Sequence, residues 1–168
     1  MRGFVVVEGG FEALVEPEEA RVLASLATQL QTLLGEAAEN EALSVGDAAV
    51  ARLLPDAYRD DEEAAAEWRR LSRRALAERK ADFAARFARD LAEATEGAEA
   101  TRILIDERGA LDWMRTIADL RLVLAERMGI RQEGDAPDPE QEGAADLYDW
   151  LAWMQDDLVR ALDDAPRV

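Results

Sequence analysis

The chain has 168 residues, 49% of them hydrophobic, and a formal net charge of −17. This length suits one domain, and the hydrophobic fraction is enough to fill a core. The sequence contains no cysteine and no histidine, which excludes disulfide frameworks, thiolate metal sites and imidazole acid–base catalysis. The negative charge repels nucleic acid and anionic lipid, so we expect a protein partner, no directly bound nucleic acid and no membrane.

The first sixteen residues predict a β-hairpin. Apolar runs at residues 4–7 and 11–15 lie on either side of Gly9 and Gly10, and this pattern is typical of two strands joined by a tight turn. So short a hairpin needs helices over one of its faces.

The first helix is predicted to begin at Pro17 and to end at Gly35. It carries an apolar stripe at helical spacing, formed by Val22, Leu23, Leu26, Leu30, Leu33 and Leu34. Asp47 then begins a short helix that Pro55 ends. Because apolar residues recur at intervals of three and four, we expect both helices to bury one side.

The remainder of the chain predicts three longer helices and one short extended segment. The first of these three helices covers about 61–95 and begins after a cap at Asp60 or Asp61. Residues 101–105 follow as a strand or connector. Asp106 caps the next helix, which Gly129 ends. A surface loop is predicted at 131–143 before the last helix. The predicted fold of residues 1–168 is therefore a single, mainly α domain: about five helices in an orthogonal bundle, a short N-terminal β-hairpin (1–16) and one further short strand.

The first candidate site is a basic set of residues on the long helix: Arg69, Arg70, Arg73 and Arg74, with Arg79, Lys80, Arg86 and Arg89 further along. They could form a basic stripe that binds an acidic partner or DNA. We favour a solvated face instead, because ion pairs at i,i+4 spacing stabilise exposed helices. Arg74 can pair in this way with Glu78, and Arg86 with Asp82 and Asp90. Arg69 and Arg73 lack such a local partner and remain interaction candidates.

The second candidate is the segment 113–124, which carries Trp113, Arg115, Asp119 and Arg121. Arg115 and Asp119 are four residues apart and can pair on one helix face. One interpretation is a polar network buried between helices, or an arginine that grips a ligand. The other, which we favour on composition, is a core helix with a surface ion pair.

The third candidate is an aromatic cluster in the last helix, formed by Tyr148, Trp150 and Trp153. Three large aromatic side chains within six residues are compatible with an exposed interaction patch. They are equally compatible with core packing in which one ring tip reaches the rim. An exposed patch of Trp150 and Trp153 would favour a homodimer.

Carboxylate pairs such as Asp156–Asp157 are what chance produces among 37 acidic residues, and no nucleotide-binding or nucleophile motif is present. We therefore predict no catalytic residue, no metal site and no cofactor. Since no apolar run is long enough to span a bilayer and no signal peptide is recognisable at the start, we expect a cytoplasmic protein.

The segment 112–130, DWMRTIADLRLVLAERMGI, resembles the signature helix of an actinobacterial family of unknown-function domains. The segments LPDAYRDD at 54–61 and LYDWL at 147–151 resemble the same family. This family includes AosR-type oxidative-stress transcriptional regulators. The resemblance implies a regulator that contacts the transcription machinery, either RNA polymerase or an alternative sigma factor. Regulators of that branch sense redox state through a cysteine pair, and this chain has no cysteine.

The predicted function is therefore a non-enzymatic regulatory or adaptor protein that acts through protein contacts, in transcriptional regulation by the resemblance, without a cysteine switch. Two alternatives stay open. One is a DNA-binding regulator that uses the 69–74 face. The other is an enzyme or small-ligand sensor that uses Arg115, Arg121 and carboxylates in a helical pocket.

Overall fold

A computed structural model describes residues 1–40, 46–55, 62–130, 135 and 142–165, and for residues 62–71 and 142 it describes the backbone alone. Three strands and six helices lie in these ranges. The mainly α fold with an N-terminal hairpin and one further strand is thus confirmed. The predicted cap at Asp60 or Asp61 and nearly all of the predicted 131–143 loop lie outside the described residues.

The strands are β1 (Arg2–Val7), β2 (Gly10–Val15) and β3 (Thr101–Ile105). The helices are α1 (Pro17–Glu39), α2 (Ala48–Leu53), α3 (Glu62–Asp90), α4 (Ala92–Glu96), α5 (Glu107–Arg127) and α6 (Glu142–Asp164). The long helix predicted over 61–95 is therefore two helices, because the α-helical run ends at Asp90 and begins again at Ala92.

The three strands form one antiparallel sheet in the order β1-β2-β3. The predicted turn between β1 and β2 is formed by Glu8 and Gly9, and Gly10 begins β2. The φ angle is +90° at Gly9 and +156° at Gly10. Helix α6 covers the outer edge of β1, where the Phe4 amide donates a 2.6 Å hydrogen bond to Asp157. One sheet face is buried against the helices, as the hairpin requires, while Val5 and Leu104 lie exposed on the other.

Helix α1 packs along α3 and contributes Leu23, Leu30 and Leu34 to the core. Val22 was predicted to share that buried stripe, but its side chain is 44% exposed. The helix also continues through Gly35 to Glu39, so the predicted end at Gly35 is wrong. Glycine weakens a helix without ending it unless the backbone turns left-handed there.

Gly35 allows a prediction about stability. A methyl group added at this exposed helical position would have no atom within 4 Å apart from its chain neighbours and the nearby backbone of its own helix. We expect Gly35→Ala to raise the free energy of unfolding by about 0.5–1 kcal/mol, because alanine loses less backbone entropy in a helix. Urea denaturation followed by circular dichroism measures the change. An unchanged or lower midpoint would contradict the prediction.

Helix α5 lies at the centre of the molecule, where it contacts α2, α3 and α6. It begins as predicted, since the Asp106 carboxylate accepts a 2.6 Å hydrogen bond from the Gly109 amide. It is followed by Gly129 with φ of +76°, as the sequence indicated. Trp113 is fully buried, and its ring lies 4.3 Å from Phe87 and 5.8 Å from Phe4, centroid to centroid.

Candidate functional site

A cleft of about 530 Å³ opens between α3 and α5. Four cationic, two acidic and two apolar side chains line it: Arg79, Lys80, Arg108, Arg115, Asp112, Asp119, Leu76 and Phe83. We call it the α3–α5 cleft. Cations therefore outnumber carboxylates in the lining of this cleft, although the whole chain carries a net charge of −17.

The two carboxylates of the α3–α5 cleft are buried, and each is paired with a cation. Asp112 accepts from Arg115 at 3.0 Å and lies 3.2 Å from a guanidinium nitrogen of Arg86. Asp119 accepts a 2.5 Å hydrogen bond from Lys80, the only lysine of the sequence. Because buried carboxylates are costly without partners, these pairs hold Arg115 and Lys80 in fixed positions.

Burial raises the pKa of Asp119, and the hydrogen bond and charge of Lys80 oppose that rise. We expect Lys80→Met to raise the pKa of this carboxyl further, because only the effect of burial would remain. A carbon-detected NMR titration of the Asp119 carboxyl measures the change. The exposed Arg89 of the same helix provides the control Arg89→Met, which should leave the titration midpoint of Asp119 in place.

The sign of the associated stability effect follows from the raised pKa. The folded chain binds the Asp119 proton more tightly than the unfolded chain does. The contribution of Asp119 to the free energy of unfolding therefore falls as pH rises from its ordinary pKa through the folded one. In Lys80→Met, the pH range over which this stability contribution decreases should extend to higher pH. A titration midpoint that moves down in that variant would contradict the prediction.

The predicted pair between Arg115 and Asp119 is wrong. Arg115 contacts Asp112 and lies 5.0 Å above the Phe83 ring, while Asp119 pairs with Lys80. The buried carboxylates of Asp112 and Asp119 agree with a polar network between helices. This is the interpretation that we did not favour on composition. Packing of α3 on α5 supplies partners that the spacing within α5 cannot reveal.

The same packing changes the ion pairs predicted within α3. The exposed pair of Arg74 with Glu78 is confirmed at 2.8 Å. Arg86 was predicted to pair with Asp82 and Asp90 of its own helix, but it pairs with Asp112 of α5. Asp90 instead accepts a 2.8 Å hydrogen bond from the Trp113 indole.

Arg121 lies outside the α3–α5 cleft and joins α5 to α6. Its guanidinium donates to Gln155 at 2.7 Å and to the Tyr148 hydroxyl at 3.2 Å, and it lies 4.7 Å from the centre of the Tyr148 ring. The contact between Arg121 and Tyr148 therefore links helix α5 to helix α6.

The arginine stripe of α3 is only partly described. The side chains of Arg69 and Arg70 lie outside the described residues. Arg73 is half-buried, and its Nε is buried without a hydrogen-bond partner among the residues described. It shares a side of the helix with the fully buried Ala77 and Ala84. Arg73 therefore does not lie on a fully solvated face of the helix, as we expected for these arginines.

The aromatic candidates fall into different environments. Trp113 is fully buried and lies in the core, so its side chain is not part of the surface that these residues present. Trp150 is half-buried and packs against the core, whereas Trp153 is 41% exposed. The face of α6 that turns away from the core carries exposed residues at helical spacing, which we call the Trp153 stripe: Asp146, Asp149, Trp153 and Asp156.

Sequence reasoning missed four residues of the α3–α5 cleft as site candidates, and it named Arg79 and Lys80 only as part of the basic set of the long helix. The four missed residues are Leu76, Phe83, Arg108 and Asp112. One signal was available for Asp112. Asp112, Thr116 and Asp119 recur at spacings of four and three, so they share one side of α5, and all three are buried. Polar residues at the period of a buried helix face indicate an internal network.

Residues 1–162 match the protein family described as Domain of unknown function (DUF2017). The chain belongs to this family. The match spans β1 to the last turn of α6, so the α3–α5 cleft and the Trp153 stripe both lie within the DUF2017 region. No curated protein and no solved structure matches the chain.

Two further properties hold for the described part of this DUF2017 chain. No helix there is both long and apolar enough to cross a membrane. No group of three or more acidic side chains lies close enough together there to hold a metal ion.

Proposed function

We propose that this DUF2017 chain is a non-enzymatic regulatory or adaptor protein whose Trp153 stripe binds a basic segment of a partner protein. The observation that carries the proposal is the exposure of Trp153 between carboxylates. Asp149 and Asp156 lie one helical turn before and after it on the same outward face.

A basic partner suits this surface for two physical reasons. Tryptophan is enriched among residues that dominate binding energy in interfaces, and its ring face attracts arginine and lysine. Carboxylates around the ring add electrostatic attraction, which increases the association rate at low salt. Trp150 does not enlarge this patch because it packs against the core, so the surface suits a narrow segment.

The resemblance to AosR-type regulators suggests the first partners to test, namely RNA polymerase and alternative sigma factors. A cysteine redox switch is not part of this proposal, since the chain has no cysteine. DNA binding through the 69–74 face gains no support from the geometry, since Arg73 is half-buried and Arg74 is paired with Glu78.

The immobilised full chain should retain purified RNA polymerase, or one of its sigma factors, more strongly than an unrelated protein of equal negative charge. We expect Trp153→Ala to weaken this retention by about tenfold or more, as for an interface residue that dominates binding. The matched control is Val22→Ala, which truncates a similarly exposed apolar residue of α1 and should bind like the wild type.

The charge of the stripe is tested at constant net charge. The double variant Asp149→Asn with Asp156→Asn should bind more weakly than Glu93→Gln with Glu96→Gln, two exposed acids of α4. Retention no better than the acidic control, or equal losses in both double variants, would overturn the proposal. Self-association that Trp153→Ala abolishes would assign the surface to a second copy and overturn it too.

A further inference from the structure

We infer that the α3–α5 cleft is a binding site for a small organic oxyanion, a carboxylate or phosphate carried on an apolar or aromatic body. The inference is independent of the Trp153 stripe, which lies on α6. It rests on the charge balance of the cleft, on its fixed side chains and on its size.

The charge balance leaves two cations free. Asp112 is neutralised by Arg86 and Arg115, and Asp119 by Lys80. The remaining cations, Arg79 and Arg108, are exposed and have no hydrogen bond or ion pair with any residue that the structure describes. Since guanidinium groups bind carboxylate and phosphate in bidentate geometry, these two arginines can take the anionic group of a ligand.

The inner wall of the cleft is held in place before a ligand arrives. Buried Asp112 fixes Arg115 over the Phe83 ring, and buried Asp119 fixes Lys80. Side chains held in this way lose little conformational entropy on binding, which increases affinity. Lys80 and Arg115 therefore occupy defined positions behind the two free arginines, and the two guanidinium groups on Asp112 leave one positive charge in excess there.

Phe83 and Leu76 give the cleft an apolar wall beside these charges. The volume of about 530 Å³ lies in the range of pockets that take small molecules. A polynucleotide is a poor candidate because the chain carries a net charge of −17. The combination of apolar wall and cations selects a ligand with an anionic group on a hydrophobic body.

The test uses the full chain and four probes: phenyl phosphate, benzoate, inorganic phosphate and acetate. Binding is followed by ¹H–¹⁵N NMR titration. We expect saturable shifts at cleft residues for phenyl phosphate or benzoate, and the stronger of these two identifies the preferred oxyanion. Each aromatic probe should bind about tenfold more tightly than inorganic phosphate or acetate, its counterpart without the ring.

The double variant Arg79→Gln with Arg108→Gln should weaken binding of the preferred probe by about tenfold or more. Its control is Arg89→Gln with Arg102→Gln, which removes the same charge from exposed positions of α3 and β3 and should bind like the wild type. All four positions are exposed, so we expect every variant to fold. Absence of saturable binding by any probe, or equal weakening in the two double variants, would overturn the inference.

Discussion

Trp113→Ala should lower the free energy of unfolding by about 3–5 kcal/mol. The Trp113 side chain is fully buried and contacts the rings of Phe4 and Phe87. Its truncation leaves a cavity where β1, α3 and α5 meet, and the Asp90 carboxylate loses the 2.8 Å hydrogen bond from the indole. Urea denaturation followed by circular dichroism measures the loss.

Two substitutions separate the causes of this effect. Trp113→Phe retains most of the ring but removes the donor to Asp90, so we expect a smaller loss of about 1–3 kcal/mol. Trp153→Ala removes an indole of the same size from an exposed position and should change stability by no more than about 0.5 kcal/mol. Equal losses for Trp113→Ala and Trp153→Ala would show that burial of Trp113 is assigned wrongly.

Gly10→Ala should lower the free energy of unfolding by about 2–5 kcal/mol. Gly10 begins β2 with φ of +156°, a conformation that side chains disfavour. An added Cβ would also overlap the carbonyl oxygen of Ile105, a backbone atom of β3 that cannot move without separating the strands. Urea denaturation measures the loss, and hydrogen exchange at β2 and β3 amides shows whether their pairing is weakened.

The neighbouring Gly9 provides the control for this clash. Its φ of +90° also disfavours a side chain, but no atom beyond its two chain neighbours lies within 4 Å of an added Cβ. Gly9→Ala should therefore cost only the backbone strain, about 1–2 kcal/mol. Faster exchange of β3 amides in Gly10→Ala and not in Gly9→Ala would support the close approach to Ile105. The same exchange pattern in both variants would contradict it.

The sequence predicted the local structure well where a local interaction determines it. Asp47 and Asp106 cap helices with their own carboxylates. The turn that the two flanking apolar runs require lies at Glu8 and Gly9, directly before Gly10. Val22 and Gly35 are the instructive errors. Helical periodicity places Val22 beside a buried stripe but does not define the edge of that stripe. Helix α1 continues through Gly35 because its packing on α3 stabilises it by more than the low helix propensity of glycine destabilises it.

The α3–α5 cleft was much harder to predict because its partners come from two helices. Spacing within α5 suggested that Asp119 would pair with Arg115, and only the packing of α3 brings Lys80 to it. Packing also brings Arg86 to Asp112 and buries Trp113. A sequence window of one helix contains no information on which side chains a neighbouring helix presents.

The absence of cysteine and histidine was determined by the sequence alone, and it excludes thiol and imidazole chemistry whatever the fold. The negative net charge was equally certain, but its distribution in space was not. Tertiary structure decided that two carboxylates are buried and paired, so that Arg79 and Arg108 remain free beside them. It also decided that Trp153 is the most exposed of the three candidate tryptophans, because burial depends on which helices meet and not on composition.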